Sequence, residues 1–273
     1  MHIMIDYIKR NKLYFFNTKI VLMEEMEFEF DFILSVILTC ANILFFIFFW
    51  SCVYGIETII DGVGFEKMIV YSVTSNIITE LFEIEVAQRI NGSVKSGNIA
   101  YLFVKPINLK SYWLSIDLGI TMVNLIRCLI PIGLMVIYSI VIKVDISCFQ
   151  VILFLFSTVF SYLILWKISL AIGLISIWYN ELGTIEQLKE IIVLMLSGSF
   201  VPLWFFPKWI QILSNFLPFQ YIYQVPLGIL IGKYTGTEII AKIIYQIVWY
   251  VFLKIISDKM YSRACNKISV QGG

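Results

Sequence analysis

Catalytic machinery leaves fixed spacings of reactive residues, and the 273-residue chain carries none of the common ones. A phosphate-gripping loop needs GxxxxGK followed by Ser or Thr, so that backbone amides cradle the phosphates and a hydroxyl reaches the metal. The nearest approach, Gly228-Ile-Leu-Ile-Gly232-Lys233-Tyr234, is one residue short and ends in Tyr. No HExxH or GxSxG occurs, and the single histidine, His2 at the extreme terminus, argues against a His-based metal site or triad within the chain. The cysteines Cys40, Cys52, Cys128, Cys148 and Cys265 form no CxxC pair and read as small apolar side chains. Expected cofactors and metals in this chain are therefore none. The residues left with chemistry to explain are Arg127 and Lys167, both inside apolar runs, and a basic segment between two of those runs.

The elements that must position them are set by composition. Hydrophobic residues make up 60% of the chain and charged residues 14%, far from the quarter or so charged in soluble domains. Lipid is the natural solvent for such a chain. The net charge of +1 argues against a nucleic-acid partner. No cleavable leader is evident in the mixed polar and apolar residues 1–31. A spanning helix needs roughly 20 apolar residues. Runs of about that length cover Phe32 to Ile56, Lys67 to Phe82, Tyr112 to Ile142, Cys148 to Trp178, Thr184 to Phe200 and Glu238 to Ile256. The second is the weakest, diluted by Ser72, Thr74, Ser75, Asn76 and Thr79. The expected fold is an all-α integral membrane protein, one transmembrane domain over residues 1–273 with about six transmembrane helices. Between the fifth and sixth runs, Val201 to Gly236 carries Pro202, Pro207, Pro218 and Pro226, which forbid one straight helix. Two short re-entrant helices fit there, their backbone covered by protein.

Basic residues orient the chain. With both termini cytoplasmic, the inner segments hold Lys9, Arg10, Lys12 and Lys19, then Arg89, Lys95, Lys105 and Lys110, then Lys189, and finally Lys254, Lys259, Arg263 and Lys267. The outer segments hold only Lys143, Lys208 and Lys233. Within residues 1–31, Met4, Tyr7, Ile8, Phe15 and Leu22 share one helical face opposite Asp6, Lys9, Arg10 and Asn17. That pattern suits an interfacial helix on the inner membrane surface.

The longest cytoplasmic segment, Glu83 to Ser111, contains Arg89, Gly92, Gly97, Ile99, Leu102, Phe103, Lys105 and Pro106. A helix leaving the second span is expected to stop near Gly92, followed by a short amphipathic stretch ended by Pro106. Its Ile99, Leu102 and Phe103 face is expected to sit in a groove on a separate motor; the alternative is a plain connecting loop. Arg127 either lines a pathway or pairs across an interface with a second chain, or else pairs within the chain, with Glu80 or Asp117 as partners. Lys167 is expected to snorkel to the inner surface, and Lys242 to do the same near the start of the last span. Trp204, Phe205, Phe206, Trp209, Tyr221 and Tyr223 are expected to form an outer-interface belt.

Taken in order, these segments resemble a family. Ile90, Gly97, Leu102, Lys105-Pro106 and Ile107 are similar to the cytoplasmic loop of bacterial ABC type-2 exporter permeases. A second stretch resembles the segment before the last span in that family: Gly198, Phe200, Pro202-Leu203, Phe206-Pro207 and Trp209, then Leu217-Pro218-Phe219, then Pro226 and Gly232. A third match, Phe28-Glu29-Phe30-Asp31-Phe32, departs from the family's aromatic-Arg pattern at Glu29. The resemblance implies an N-terminal interfacial helix, a coupling helix between spans two and three, and short re-entrant helices before span six. It also implies partners: a dimer of separate ABC ATPase subunits that bind ATP and Mg, and a second permease chain, identical or different. The expected function is an exporter permease of the cytoplasmic (inner) membrane for an amphipathic or hydrophobic compound, not itself an enzyme. The alternative is a non-transporting membrane partner, such as an immunity or sensor protein on the same scaffold.

Overall fold

The structure, a computed structural model, describes residues 14–24, 29–105, 107–179 and 182–271. Met4, Tyr7, Ile8, Phe28 and Pro106 lie outside those residues. In chain order the elements are α1 (described over 14–24) and α2 (Glu29–Tyr54), then a hairpin of β1 (Ile59–Ile60) and β2 (Val63–Gly64). Next come α3 (Phe65–Leu81), α4 (Val86–Lys95), α5 (Ile99–Val104), α6 (Leu109–Arg127) and α7 (Leu129–Val141). The chain finishes with α8 (Cys148–Tyr179), α9 (Gly183–Leu196), α10 (Lys208–Asn215), α11 (Gln224–Leu230) and α12 (Gly236–Gln271). The hairpin is antiparallel, with Ile59 opposite Gly64, and the Tyr54 hydroxyl ties it to α2 by donating to the Val63 carbonyl.

Among the described residues, three stretches are long and apolar enough to cross a membrane: Val36–Tyr54, Cys148–Tyr179 and Gly236–Lys267. A fourth forms if α6 and α7 count as one span bent by 52°. The bend has a local cause. Pro131, in the first turn of α7, has no N–H for the carbonyl four residues back, at Arg127, and its ring crowds that position.

The weak apolar signal of α3 has a physical reason. Every residue from Met68 to Ser75 is buried, because α3 runs between α2, α6, α7 and α11. A helix walled by protein needs no lipid-compatible surface. The hydroxyls of its threonines and of Ser75 are satisfied: Thr74 donates to the Val70 carbonyl at 2.7 Å, Thr79 to the Ser75 carbonyl at 2.9 Å, and Ser75 to the Ser199 carbonyl at 2.6 Å, whereas the buried Ser72 hydroxyl has no hydrogen-bond partner among the described residues.

Two helix extents differ from the sequence reading. The fifth run is helical only as far as Leu196, in α9 (Gly183–Leu196), about 21 Å at 1.5 Å per residue. The last helix continues beyond Ile256 to Gln271, because a helix leaving the membrane stays helical with a polar surface.

The proline-rich segment forms α10 and α11 with two single 3-10 turns, Leu203–Phe205 and Phe219–Tyr221. Pro202, Pro207 and Pro218 each stand immediately before one of these elements, where a missing N–H breaks no helical bond. Pro226 lies in the first turn of α11, whose seven residues are all buried.

The turn at Ser197–Pro202 is locked to α3. Gly198 has φ +79°, and a Cβ there would sit 2.6 Å from Gln224 Oε1. The Tyr71 hydroxyl donates to the Gly198 carbonyl at 2.6 Å, and the Gln224 amide donates to the Ser197 carbonyl at 2.9 Å. Gln224 Oε1 in turn accepts from the Leu203 amide at 2.6 Å. Phe200 meets Phe46 of α2 edge-on at 5.3 Å.

The aromatic residues of this segment are mostly core, not belt. Trp204 packs on Tyr71 and Phe205 on Trp50. Tyr221 and Tyr223 are buried, while Phe206 is half-buried and Trp209 points outward.

Candidate coupling site and the cavity beside it

After Leu81 the chain leaves α3 and re-enters a helix at Val86. This helix, α4, runs through Gly92 instead of stopping there, and ends before Gly97, whose φ is +74°. Glycine is helix-compatible at a cost of only about 1 kcal/mol relative to Ala, and packing overrides that. Val86, Ala87 and Ile90 are fully buried against α8. The approach is close because α8 presents Gly173: a Cβ there would lie 2.9 Å from the Ala87 Cα and 3.0 Å from Ile90 Cδ1.

One turn along, Arg89 joins three helices. Its Nη1 donates to Asp117 Oδ1 of α6 at 2.6 Å, and its Nη2 to Glu85 Oε2 at 2.6 Å. The Asp117 carboxylate is completely buried. It also accepts from the Trp166 indole N–H of α8 at 2.9 Å and from the Glu85 amide at 3.3 Å. An ionised carboxylate out of water persists only when its lone pairs are filled, and here a guanidinium, an indole and an amide fill them. The cluster ties α4 to α6 and α8.

The expected docking face of the short amphipathic stretch is turned the other way. Ile99, Leu102 and Phe103 of α5 pack against the core, with Phe103 stacked on Tyr261 of α12 at 5.8 Å. Nearby, Lys110 pairs with Asp258 at 2.7 Å and sits over the same Tyr261 ring. Half-burial of this face follows from the extension of α12 past Ile256 to Gln271, which the apolar pattern alone did not reveal. The outward side of α5 is Ala100, Tyr101 and Val104, with the Lys105 ammonium 4.7 Å from the Tyr101 ring centre. A groove of about 520 Å³ runs between α4, α5 and α6, with Gly92, Ser93, Tyr101 and Tyr112 in its walls.

Helix α1 reaches the same apparatus from the other side of α6. The Thr18 hydroxyl donates to the Ser115 carbonyl at 2.8 Å, Asn17 Nδ2 donates to the Ser115 hydroxyl at 3.0 Å, and the Tyr14 hydroxyl accepts from the Asn108 amide at 3.1 Å. Phe15, Phe16 and Met23 remain exposed.

The intramembrane charges are placed as follows. Arg127 is the last residue of α6, at the bend, and donates to Asn124 Oδ1 at 3.0 Å. Asn124 donates in turn to the Glu80 carbonyl and to Glu83 Oε2, each at 2.8 Å. Asp117, one partner expected for Arg127, belongs to Arg89 instead. Lys167 does not reach the surface: it is 8% exposed, with its ammonium 4.9 Å from the Trp166 ring centre. Its stem is enclosed because α8 is packed by α4, α11 and α12. Lys242 lies over the Tyr234 ring with its ammonium 3.5 Å from Asn215 Oδ1.

Beside the Arg89 cluster is a cavity of about 370 Å³ between the end of α3, α4, α8 and α9. Phe82, Leu165, Val193 and Tyr223 form its apolar side, and Glu83, Glu85, Gln88 and Glu190 its polar side. Sequence reading missed it, because its walls come from four separate segments and no local spacing marks them. Among the described residues no group of His, Cys, Asp or Glu is arranged to hold a metal ion.

Neither the curated proteins nor the solved structures yield a match to the chain. A family model described as "ABC-2 family transporter protein" matches residues 38–272. That match takes in everything from the middle of α2 to the end of α12, including the coupling cluster and the proline-rich segment. The chain belongs to the ABC-2 family of transporter proteins, as a multi-pass membrane permease of an ABC transporter.

Proposed function

We propose that the chain is the permease subunit of an exporter in the cytoplasmic membrane, driven by ATP hydrolysis on separate ATPase chains. Six crossings are assigned to α2, α3, the bent pair α6–α7, α8, α9 and α12, with both termini cytoplasmic. The short α9 is completed by the locked turn at Gly198 and by α11, which together bury their own backbone and make an incomplete crossing tolerable. Lys and Arg distribution supports this orientation. ATP and Mg are held by the partner subunits, and a second permease chain completes the pathway. The cargo is amphipathic or hydrophobic.

The observation that carries the reading is the Arg89–Asp117–Trp166 cluster. An exporter without its own ATPase needs a stiff element at the cytoplasmic surface that moves spanning helices. Here α4 is joined to α6 and α8 by charge-assisted bonds, and α5 beside it presents Tyr101 and Val104 to a motor. Aromatic anchors of this kind dominate interface energies.

The test is to purify the tagged chain from membranes of its own host and ask whether an ATP hydrolase accompanies it. Tyr101→Asp with Val104→Asp is expected to abolish that association while leaving the thermal unfolding midpoint unchanged, because both side chains are exposed. Retention of the hydrolase at wild-type amount in the double variant would overturn the assignment of α5 as the contact. Absence of any accompanying ATP hydrolysis would overturn the function.

A further inference from the structure

We infer that the cavity between α3, α4, α8 and α9 receives the cargo from the cytoplasmic side and selects for a positively charged amphipath. The inference rests on the transport reading and adds the charge of the cargo to it.

The cavity has the size of a small-molecule site, about 370 Å³ against the roughly 300–1,000 Å³ usual for ligand pockets. It is two-sided. Phe82 and Tyr223, with ring centres 5.8 Å apart, offer aromatic surface beside Leu165 and Val193. An apolar body fits against them, and π-faces also attract cations.

The charge on the other side is predominantly negative. Glu83, Glu85 and Glu190 contribute carboxylates, and Lys189 contributes the one ammonium among the lining residues. That ammonium is turned away from a free role. It lies 3.4 Å from the Ser169 hydroxyl and 3.9 Å from the Glu186 carboxylate, with only 8% of its side chain exposed. Glu186 thus offsets it. Of the carboxylates, Glu83 accepts a neutral amide bond from Asn124 and keeps its charge uncompensated by that bond. Glu85 shares the Arg89 guanidinium with Asp117. Glu190 is exposed at the rim. An anion brought to this place meets like charge next to low-dielectric walls, whereas a cation meets attraction that is weakly screened there.

Location strengthens the case. Glu85 and Gln88 belong to the segment that carries Arg89, so a molecule seated here touches the same element through which the motor is coupled.

The probes are tetraphenylphosphonium and tetraphenylborate, ions of nearly the same shape and opposite charge. Binding of each is measured on the purified full chain in neutral detergent, without nucleotide or ATPase. Saturable binding of the phosphonium, at least about tenfold tighter than that of the borate, is expected. Glu190→Gln is expected to weaken phosphonium binding about threefold, the size of one partly screened charge contact, and Glu190→Lys to weaken it further while strengthening the borate. Glu66→Gln, at the outer end of α3, is expected to leave both affinities unchanged. Glu190 is exposed, so these variants fold, and the unfolding midpoint checks that they do. Equal or tighter borate binding, or phosphonium binding indifferent to Glu190→Gln and Glu190→Lys, overturns the inference. A chain that carries an ATP hydrolase but shows no cation preference sinks this inference alone. A chain that prefers the cation yet brings no hydrolase sinks the transport reading.

Discussion

Neutralising Asp117 separates a mechanical role for the buried cluster from a merely local one. In the native chain the carboxylate has no exposure and accepts from Arg89 at 2.6 Å, Trp166 at 2.9 Å and the Glu85 amide at 3.3 Å. Removing one partner of a buried ion pair costs about 3–5 kcal/mol. Two features reduce that figure here: the Arg89 side chain is 25% exposed, and it keeps Glu85 at 2.6 Å. Asp117→Asn retains one carbonyl oxygen, so the loss approaches that of one charged hydrogen bond, about 2 kcal/mol. The informative measurement is a double-mutant cycle with Arg89→Gln, read as unfolding of the purified chain in detergent by tryptophan fluorescence. Because the two groups are in contact, an interaction energy of about 1–2 kcal/mol is expected. The same variants, assayed in the assembled transporter, are expected to keep basal ATP hydrolysis and lose its response to cargo. An interaction energy below about 0.5 kcal/mol would mean the pair does not hold α4 to α6. Unchanged cargo response would mean force travels elsewhere.

Gly173→Leu should drive α4 off α8, since even its Cβ would stand 2.9 Å from the Ala87 Cα; about 1–3 kcal/mol of destabilisation is expected, seen in the unfolding midpoint. Gly198→Ala places a Cβ at φ +79° and 2.6 Å from Gln224 Oε1, costing at least about 1–2 kcal/mol. Tyr71→Phe removes the hydroxyl bound to the same turn for about 1 kcal/mol, and the two losses should be less than additive because they act on one turn. For orientation, a membrane-impermeant maleimide on whole cells should label a single cysteine at Cys148, which is exposed, and should miss Lys95→Cys in an otherwise cysteine-free chain; labelling of the second and not the first would invert the topology.

The longest apolar helices were readable from run lengths. The helix expected from Cys148 to Trp178 differs from the observed α8 by one residue at its end. The family resemblance lay in residues whose physics is now visible, such as Gly198, which admits no side chain, and the prolines that precede short helices. What the sequence concealed was contact between distant segments. Ile99, Leu102 and Phe103 form an apolar face in any helical projection, but which body covers it depends on where α12 stops, and polar residues after Ile256 disguised that extension. Asp117 and Trp166 are separated by 49 positions, and no periodicity links them. The bend at Cys128 was latent in Pro131, yet the unbroken apolar run through Tyr112 to Ile142 read as one rod.

The polar α3, buried along its middle from Met68 to Ser75, has a consequence for biogenesis. Serines and threonines lower its gain from partitioning into lipid, and it is not among the helices both long and apolar enough to cross a membrane. Under the proposed assignment of α3 as a crossing, what holds it is α2, α6, α7 and α11 packed around it, so its stable insertion is expected to wait for the later of those segments. Damage to its neighbours will therefore surface first as degraded nascent chain and low abundance, well before any defect in a transport assay can be measured.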